Sequence, residues 1–253
     1  MARDRELTDH ENLLRSEVSS IVSQDGLALR CTTRGEGPGV VLLHAGGETR
    51  GVWRPVARRL SAGGYRAVAV DQRGHGETRG EVPDRLEIYA QDVRALLRVL
   101  DTQVVVVGAS LGGIALLLAM TDSQTASRVR AVVLVDVLPN PDPDRTRTYL
   151  RGLEPRAQRQ LHRALTSWPL IEDILSRRDE LLSATASLTV PLLVIRGSLG
   201  RIDSSAAERF TELVPSATFA VIPGAGHLVA HDCPNELADE LLSFLARVET
   251  ALP

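Results

Sequence analysis

The stretch QVVVVGASLGGIALLLAM, residues 103–120, decides the fold of this 253-residue chain. It begins with four consecutive valines, which are typical of a strand buried on both faces of a sheet. It ends with an apolar segment that predicts a helix from Leu111 to Met120. Between them lies the pattern G-x-S-x-G around Ser110. A serine at such a strand-to-helix turn has its hydroxyl exposed above the sheet, so Ser110 is the candidate nucleophile.

Short apolar runs alternate with helix-like segments on both sides of this stretch. A hairpin around Asp25-Gly26 comes first, because this dipeptide suits a tight turn between two strands. The further predicted strands are Val40 to Ala45, Tyr65 to Asp71, Gln103 to Gly108, Ala131 to Asp136, Pro191 to Gly197 and Thr218 to Ile222. Strands that alternate with helices in this way predict a mostly parallel sheet between two layers of helices.

The alternation breaks between Pro139 and about Ala186. This segment has helical patterns at Arg156 to Leu165 and at Ile171 to Leu182, but no strand pattern. We therefore expect residues 139–187 to form a small helical cap over the carboxyl edge of the sheet. Ligands of open α/β sheets bind at that edge, so such a cap would shape a pocket.

A serine hydroxyl needs a base that removes its proton, and a histidine is the usual one. His227 fits best, because it follows the last predicted strand in a glycine-flanked loop that returns to the carboxyl edge. His231 is interpreted as a structural neighbour. His44 and His75 follow two other strands and are expected to stabilise turns.

Four motifs together carry a family resemblance that covers about residues 20 to 248. They are HAGG at 44–47, DQRGHG at 71–76, GASLGG at 108–113 and GAGH at 224–227. The chain resembles proteins of the α/β-hydrolase fold, in the branch of cofactor-free haloperoxidase-like or esterase-like hydrolases. The resemblance implies an α/β fold with an eight-stranded, mostly parallel sheet, helices on both faces and a small helical cap, in one domain that spans residues 1–253.

The resemblance also implies roles for individual residues. Ser110 would be the nucleophile and His227 the general base, while the N–H groups of Gly46 and Leu111 would form the oxyanion hole. The triad acid is ambiguous. Relatives carry Asp at the end of a G-x-x-D pattern after the seventh strand, but this chain has Gly200 there.

Two aspartates can supply the missing acid. Asp136 ends the sixth strand and is the preferred candidate, since that strand should neighbour the one that carries Ser110. Asp203 follows three residues after Gly200 and is the alternative, although it is also placed to cap the next helix. Either choice keeps the order Ser, acid, His along the chain.

The predicted function is hydrolysis, through an acyl-enzyme, of a small and largely apolar ester, lactone or related carbonyl substrate. Glu48, Trp53, Tyr149 and Trp168 are the candidate pocket residues. No cofactor or metal is predicted, since Cys31 and Cys233 lie far apart without metal-binding spacing. A lyase, cyclase or perhydrolase reaction on the same scaffold and a non-catalytic small-molecule sensor are the alternatives.

Composition excludes several other classes. The net charge is −3, which disfavours a nucleic-acid partner. The first residues, MARDRELTDHENLL, lack the apolar core of a signal peptide, and no apolar run is long enough for a membrane span. We therefore expect a cytoplasmic protein whose partner is a small-molecule substrate and which makes no membrane contact. The sequence is compatible with a homo-oligomer.

Overall fold

The computed structural model describes residues 16–23, 25–152 and 168–250. Eight strands form one sheet in the order β1-β2-β4-β3-β5-β6-β7-β8. Strand β2 is antiparallel to β1 and β4, and the remaining neighbours are parallel, which confirms the predicted sheet. The strands are β1 (Ser16–Val22), β2 (Ala28–Arg34), β3 (Gly39–Leu43), β4 (Arg66–Val70), β5 (Val104–Ala109), β6 (Val129–Val135), β7 (Leu192–Gly197) and β8 (Ala217–Ile222).

Helices cover both faces of the sheet, as predicted. A short 3-10 helix, Arg50–Trp53, leads into the first α-helix. The α-helices are α1 (Arg54–Ala62), α2 (Leu86–Arg98), α3 (Leu111–Ala119), α4 (Ser123–Ala126), α5 (Pro143–Arg151), α6 (Trp168–Ser176), α7 (Arg178–Ala186), α8 (Ser204–Leu213), α9 (Val229–Asp232) and α10 (Pro234–Thr250).

The core consists of two apolar layers, one on each face of the sheet. Successive side chains of a strand point to opposite faces, and β3 shows this clearly. Val41 and Leu43 pack with helices α2 and α3, whereas Val40 and Leu42 pack with α1 and α10. All nine residues of α3 are buried, which explains why its sequence is apolar on every side.

The topology decides where the site can lie. Strand β5 has β3 on one side and β6 on the other, with β7 and β8 beyond β6. Because these five strands are parallel, their carboxyl ends lie at one edge of the sheet. The loops that follow β3, β5, β6, β7 and β8 therefore meet there, and Ser110 follows β5, between β3 and β6.

The predicted cap segment, 139–187, contains α5, α6 and α7 in its described part. The helix expected at Ile171 to Leu182 is instead two helices that meet at Arg177, whose N–H donates to the Ile174 carbonyl three residues back in a tight turn. The helix expected at Arg156 to Leu165 lies outside the described residues. Within those residues, no helix is both long and apolar enough to cross a membrane.

Candidate active site

Ser110 stands at a strained turn between β5 and α3. Its backbone has φ 45 and ψ −111, a conformation that residues with a side chain rarely adopt. The turn is tight enough that a Cβ on Gly108 would overlap the backbone of Gly113. The Ser110 N–H donates to the Val135 carbonyl at 3.2 Å, which ties the turn to β6. The G-x-S-x-G pattern therefore has the local structure that its spacing predicts.

The imidazole of His227 lies beside the Ser110 hydroxyl. His227 is in the loop after β8, and its Nε2 is 3.2 Å from Ser110 Oγ. Its Nδ1 is 2.8 Å from Asp136 Oδ2. With the proton on Nδ1, the ring donates to the carboxylate and its Nε2 accepts from the serine hydroxyl. This geometry suits transfer of the serine proton to His227.

Asp136 follows β6 and holds its carboxylate in a buried pocket of backbone donors. Oδ1 accepts from the Gly197 N–H at 3.1 Å, and Oδ2 accepts from the Arg201 N–H at 3.0 Å. The side chain has no exposed surface. Asp136 itself has φ 48, so, within the described residues, it and Ser110 are the two non-glycine residues with positive φ. Such strained positions cluster at functional sites.

Gly200 provides the space that this carboxylate occupies. A Cβ at position 200 would overlap both carboxylate oxygens and the carboxyl carbon of Asp136. An aspartate at position 200 and the observed Asp136 side chain are therefore mutually exclusive in this arrangement. The space that an aspartate at position 200 would need is therefore taken, in this structure, by the Asp136 carboxylate.

Asp203, the alternative acid, has a different set of partners. It is the N-cap of α8, where its Oδ1 accepts from the Ala206 N–H at 2.8 Å. Its Oδ2 pairs with Arg145 at 2.9 Å. The Ala206 N–H and then Arg145 hold the pKa of Asp203 below its usual range. The structure brings Asp136, and not Asp203, to His227.

The loop after β3 carries the first predicted oxyanion donor, Gly46. Within the described part of the chain, no hydrogen bond from the N–H of Gly46 or of Leu111 to another protein group is found. His44 is completely buried and accepts from the Gln72 N–H at 3.1 Å, which fastens this loop to the loop after β4. Burial, and then the neighbouring His75, lower the pKa of His44 to about 3.

Glu48 folds back onto the same loop. Its Oε2 accepts from the Ala45 N–H at 3.1 Å, and the side chain is half-buried instead of exposed. Burial raises the pKa of Glu48 to about 7.

The three aromatic pocket candidates lie in different places. Tyr149 on α5 packs edge-on against His227, with 6.4 Å between ring centroids. Trp168 begins α6 and lies under the Arg151 guanidinium at 5.6 Å, partly exposed. Trp53 has no exposed surface and lies in the apolar layer of α1 and α10, so we exclude it from the pocket.

Sequence reasoning missed Arg201. Its guanidinium carbon lies 4.3 Å from the centroid of the Tyr149 ring, and its backbone N–H holds Asp136. The local sequence carries no signal for this residue, since the group that fills the space beside Gly200 is the Asp136 carboxylate.

The chain combines a mostly parallel sheet with a serine at a strand-to-helix turn, and a histidine and a carboxylate lie within hydrogen-bond reach. This combination is typical of the α/β class of hydrolases. The model of a family described as the alpha/beta hydrolase family matches residues 40–240. The chain belongs to this family.

Two curated relatives resemble most of the chain. One is 2-(acetamidomethylene)succinate hydrolase of Mesorhizobium japonicum, which is 27% identical and aligned over 90% of this chain and 95% of its own length. The other is 2-hydroxy-6-oxo-6-(2'-aminophenyl)hexa-2,4-dienoic acid hydrolase of Metapseudomonas resinovorans, which is 28% identical and aligned over 91% of each chain. A solved structure of an E-2-(acetamidomethylene)succinate hydrolase shares the fold with a TM-score of 0.73 at 23% identity, covering 92% of this chain and 100% of the other.

Proposed function

We propose that the protein is a serine hydrolase that cleaves an ester, lactone or related carbonyl bond of a small, largely apolar substrate through an acyl-enzyme. The observation that carries the proposal is the continuous chain of contacts from Ser110 Oγ to His227 Nε2, at 3.2 Å, and from His227 Nδ1 to Asp136 Oδ2, at 2.8 Å. Membership of the hydrolase family and the two hydrolases among its relatives support the reaction class.

The first half of the reaction forms the acyl-enzyme. His227 Nε2 takes the Ser110 proton as Oγ attacks the substrate carbonyl. The carbonyl oxygen gains negative charge and accepts hydrogen bonds from the N–H groups of Gly46 and Leu111. The Leu111 N–H also lies at the first turn of α3, where the helix dipole favours an anion. The protonated His227 then gives its proton to the leaving group.

The second half releases the product. A water molecule loses its proton to His227 and attacks the acyl carbon, and Ser110 leaves with the returned proton. Asp136 is the proposed acid throughout. Its contact with Nδ1 holds the imidazole in the tautomer that leaves Nε2 free to accept, and its charge stabilises the imidazolium.

We also propose that the 139–187 segment acts as a cap on this site. The support is the contact of Tyr149, on α5, with the His227 ring and with the Arg201 guanidinium. Tyr149 would then form one wall of the substrate pocket, with Glu48 on the opposite loop. Trp168 would contribute from the start of α6.

A serine-directed fluorophosphonate tests the nucleophile directly. We expect intact mass spectrometry to show one adduct on the wild-type protein and none on Ser110→Ala, because the reagent needs the activated hydroxyl. Ser205→Ala is the matched control, since this exposed serine lies on α8 outside the site, and it should label as the wild type does. Unchanged labelling of a folded Ser110→Ala protein would contradict the proposal.

Product analysis in heavy-oxygen water separates hydrolysis from other reactions at the same serine. Hydrolysis requires that the acid product carry one oxygen from the solvent. A turnover product without solvent oxygen would instead support the lyase, cyclase or perhydrolase alternative, and tight binding without turnover would support the sensor.

A further inference from the structure

Arg201 lies next to Asp136, one of the proposed catalytic groups. Its own backbone N–H donates to Asp136 Oδ2 at 3.0 Å, so the residue is fixed at the carboxyl edge of the sheet. Its side chain stacks on Tyr149, with 4.3 Å from the guanidinium carbon to the ring centroid. The Tyr149 ring lies edge-on to His227. A single aromatic ring therefore links the guanidinium to the imidazole.

The positive charge at this position lacks a carboxylate partner. Within residues 16–23, 25–152 and 168–250, no aspartate or glutamate forms an ion pair with the Arg201 guanidinium. Asp136 is the near negative charge, but its two oxygens already accept from Gly197, Arg201 and His227. Burial lowers the pKa of Arg201, and the nearby Tyr149 and Asp136 only partly offset this effect.

Two arginines of the neighbouring α5 are different. Arg145 pairs with Asp203 at 2.9 Å, and Arg147 pairs with Glu172 at 2.6 Å. Both have their charge balanced by an exposed carboxylate. Arg201 thus differs from these two arginines in that no carboxylate of the described residues pairs with its side chain, and in its contact with Tyr149, the ring that lies edge-on to His227.

We propose that Arg201 binds a carboxylate of the substrate, so that the preferred substrates are small esters or related carbonyl compounds that carry a second, free carboxylate. This inference rests on the proposed serine hydrolysis, and it adds a free carboxylate to the otherwise apolar substrate of that proposal. A guanidinium presents two parallel N–H donors that match the two oxygens of a carboxylate. Stacking on Tyr149 holds the guanidinium plane in one orientation, which lowers the entropy lost when the anion binds. Arg201 would be a specificity-determining residue.

Matched pairs of chromogenic esters test this inference. The acidic members are the mono-p-nitrophenyl esters of glutaric and adipic acid, and the neutral members are p-nitrophenyl pentanoate and hexanoate. The readout is the ratio of kcat/KM for the acidic ester to that for the neutral ester in the same protein preparation. This ratio is insensitive to the fraction of protein that is folded, because that fraction affects both esters equally.

The wild-type protein is expected to prefer the acidic esters. In Arg201→Gln, the ratio should fall by roughly 10- to 100-fold, since hydrogen bonds to a charged group are lost. In Arg145→Gln, the ratio should stay at the wild-type value, because that guanidinium already has Asp203 as its partner. A wild-type protein without the preference, or an equal fall in both variants, would overturn the inference.

A binding measurement keeps this test separate from the test of catalysis. Calorimetric titration of adipate into the Ser110→Ala protein should show binding, and the same titration with hexanediol should show none. Adding Arg201→Gln to the Ser110→Ala background should abolish the adipate signal. If the fluorophosphonate fails to label the wild type, the proposed function fails, yet adipate binding still decides the role of Arg201. No adipate binding to a folded Ser110→Ala protein would overturn it.

Discussion

The carboxyl edge of the sheet and helix α5 both contact His227, but they hold their residues by different means. At the edge, Asp136 is fully buried and its oxygens accept two backbone hydrogen bonds in addition to the His227 contact. On α5, the side chains are held by exposed ion pairs, Arg145 with Asp203 and Arg147 with Glu172. Exposed pairs contribute little to stability, whereas a buried carboxylate depends on every donor around it.

This difference suggests that the two regions have different roles in the reaction. Groups that move protons need positions fixed to a fraction of an ångström, and backbone donors at strand ends provide that. Groups that contact the rest of the substrate need only a suitable surface, and a helical segment with solvent-exposed contacts provides that. Substitutions of Asp136 and of the groups that hold it should therefore change kcat, and substitutions of the ion-paired residues on α5 should change KM or nothing.

The largest fall in kcat is expected at Asp136, and a comparison with Asp203 tests which of the two candidate acids serves His227. Asp136→Asn should lower kcat by about 10³- to 10⁴-fold, because the amide can no longer hold His227 in its productive tautomer. Asp203→Asn should leave kcat within about threefold of the wild type, since asparagine also caps helices and the lost pair with Arg145 is exposed. Steady-state kinetics on one activated ester measures both. A larger loss in Asp203→Asn would reverse the assignment.

A smaller effect is expected at Gly200. Gly200→Ala puts a Cβ against the Asp136 carboxylate, so the carboxylate must shift away from His227 or lose a backbone donor. We expect kcat to fall by roughly 10- to 100-fold, with a lower Tm, because displacements below 1 Å are costly at such sites. Gly64→Ala is a control for glycine replacement, since a Cβ there meets nothing, although its φ of 86 costs some stability. Equal kcat in both variants would contradict the steric argument.

Glu48→Gln tests the electrostatics of the loop after β3. Burial raises the pKa of Glu48 to about 7, while the hydrogen bond from the Ala45 N–H and then the charge of His231 oppose this shift more weakly. Below its ordinary pKa the carboxyl is neutral in both folded and unfolded chains, so its stabilising contribution is fully present. This contribution is lost as the pH rises through about 7, because only the unfolded chain ionises freely.

The Gln variant has no such titration, and its amide oxygen can still accept from the Ala45 N–H. The Tm of Glu48→Gln minus that of the wild type should therefore increase between about pH 5 and pH 8, by the equivalent of up to about 3 kcal/mol. Thermal unfolding at several pH values measures it. A difference that stays constant with pH would mean that Glu48 is ionised in the folded protein.

The smallest effect is expected on the helical side. Arg147→Gln removes the exposed pair with Glu172 and should change kcat/KM by less than about twofold, with Tm close to the wild-type value. Steady-state kinetics with one neutral ester measures kcat/KM, and thermal unfolding measures Tm. A loss comparable to that of Gly200→Ala would show that the helical side is as tightly coupled to the chemistry as the strand ends are.

Local pattern was enough to predict the sheet and the approach of His227 to Ser110. Four valines before the serine indicate a buried strand, and parallel neighbours bring their loops to one edge. The sequence favoured Asp136 over Asp203 only through the expected neighbourhood of β5 and β6, and it left Asp203 as an open alternative. The difference lies in the positive φ at Asp136 and the space beside Gly200, which exist only once the strands are assembled.

The direction of individual side chains was the other feature that the sequence could not predict. Trp53 lies at the end of a short helix in the loop that carries Gly46, and the amphipathic pattern does not tell whether its ring turns towards the edge or towards the core. Arg201 lay in a polar run, RIDSS, that resembles any helix start. Its importance depends on Tyr149, more than 50 residues earlier in the chain, and such distant contacts leave no local signal.

The positive φ values of Ser110 and Asp136 have a consequence for how this chain can evolve or be engineered. Backbone strain of this kind costs of order 1–3 kcal/mol per residue, and glycine would relieve it at both positions. The proposed nucleophile and the proposed acid are thus residues that thermal stability alone would discard. Any selection for heat resistance that does not also demand turnover would work against the active site, and stabilising changes have to be sought in the loops and helices away from these two strand ends.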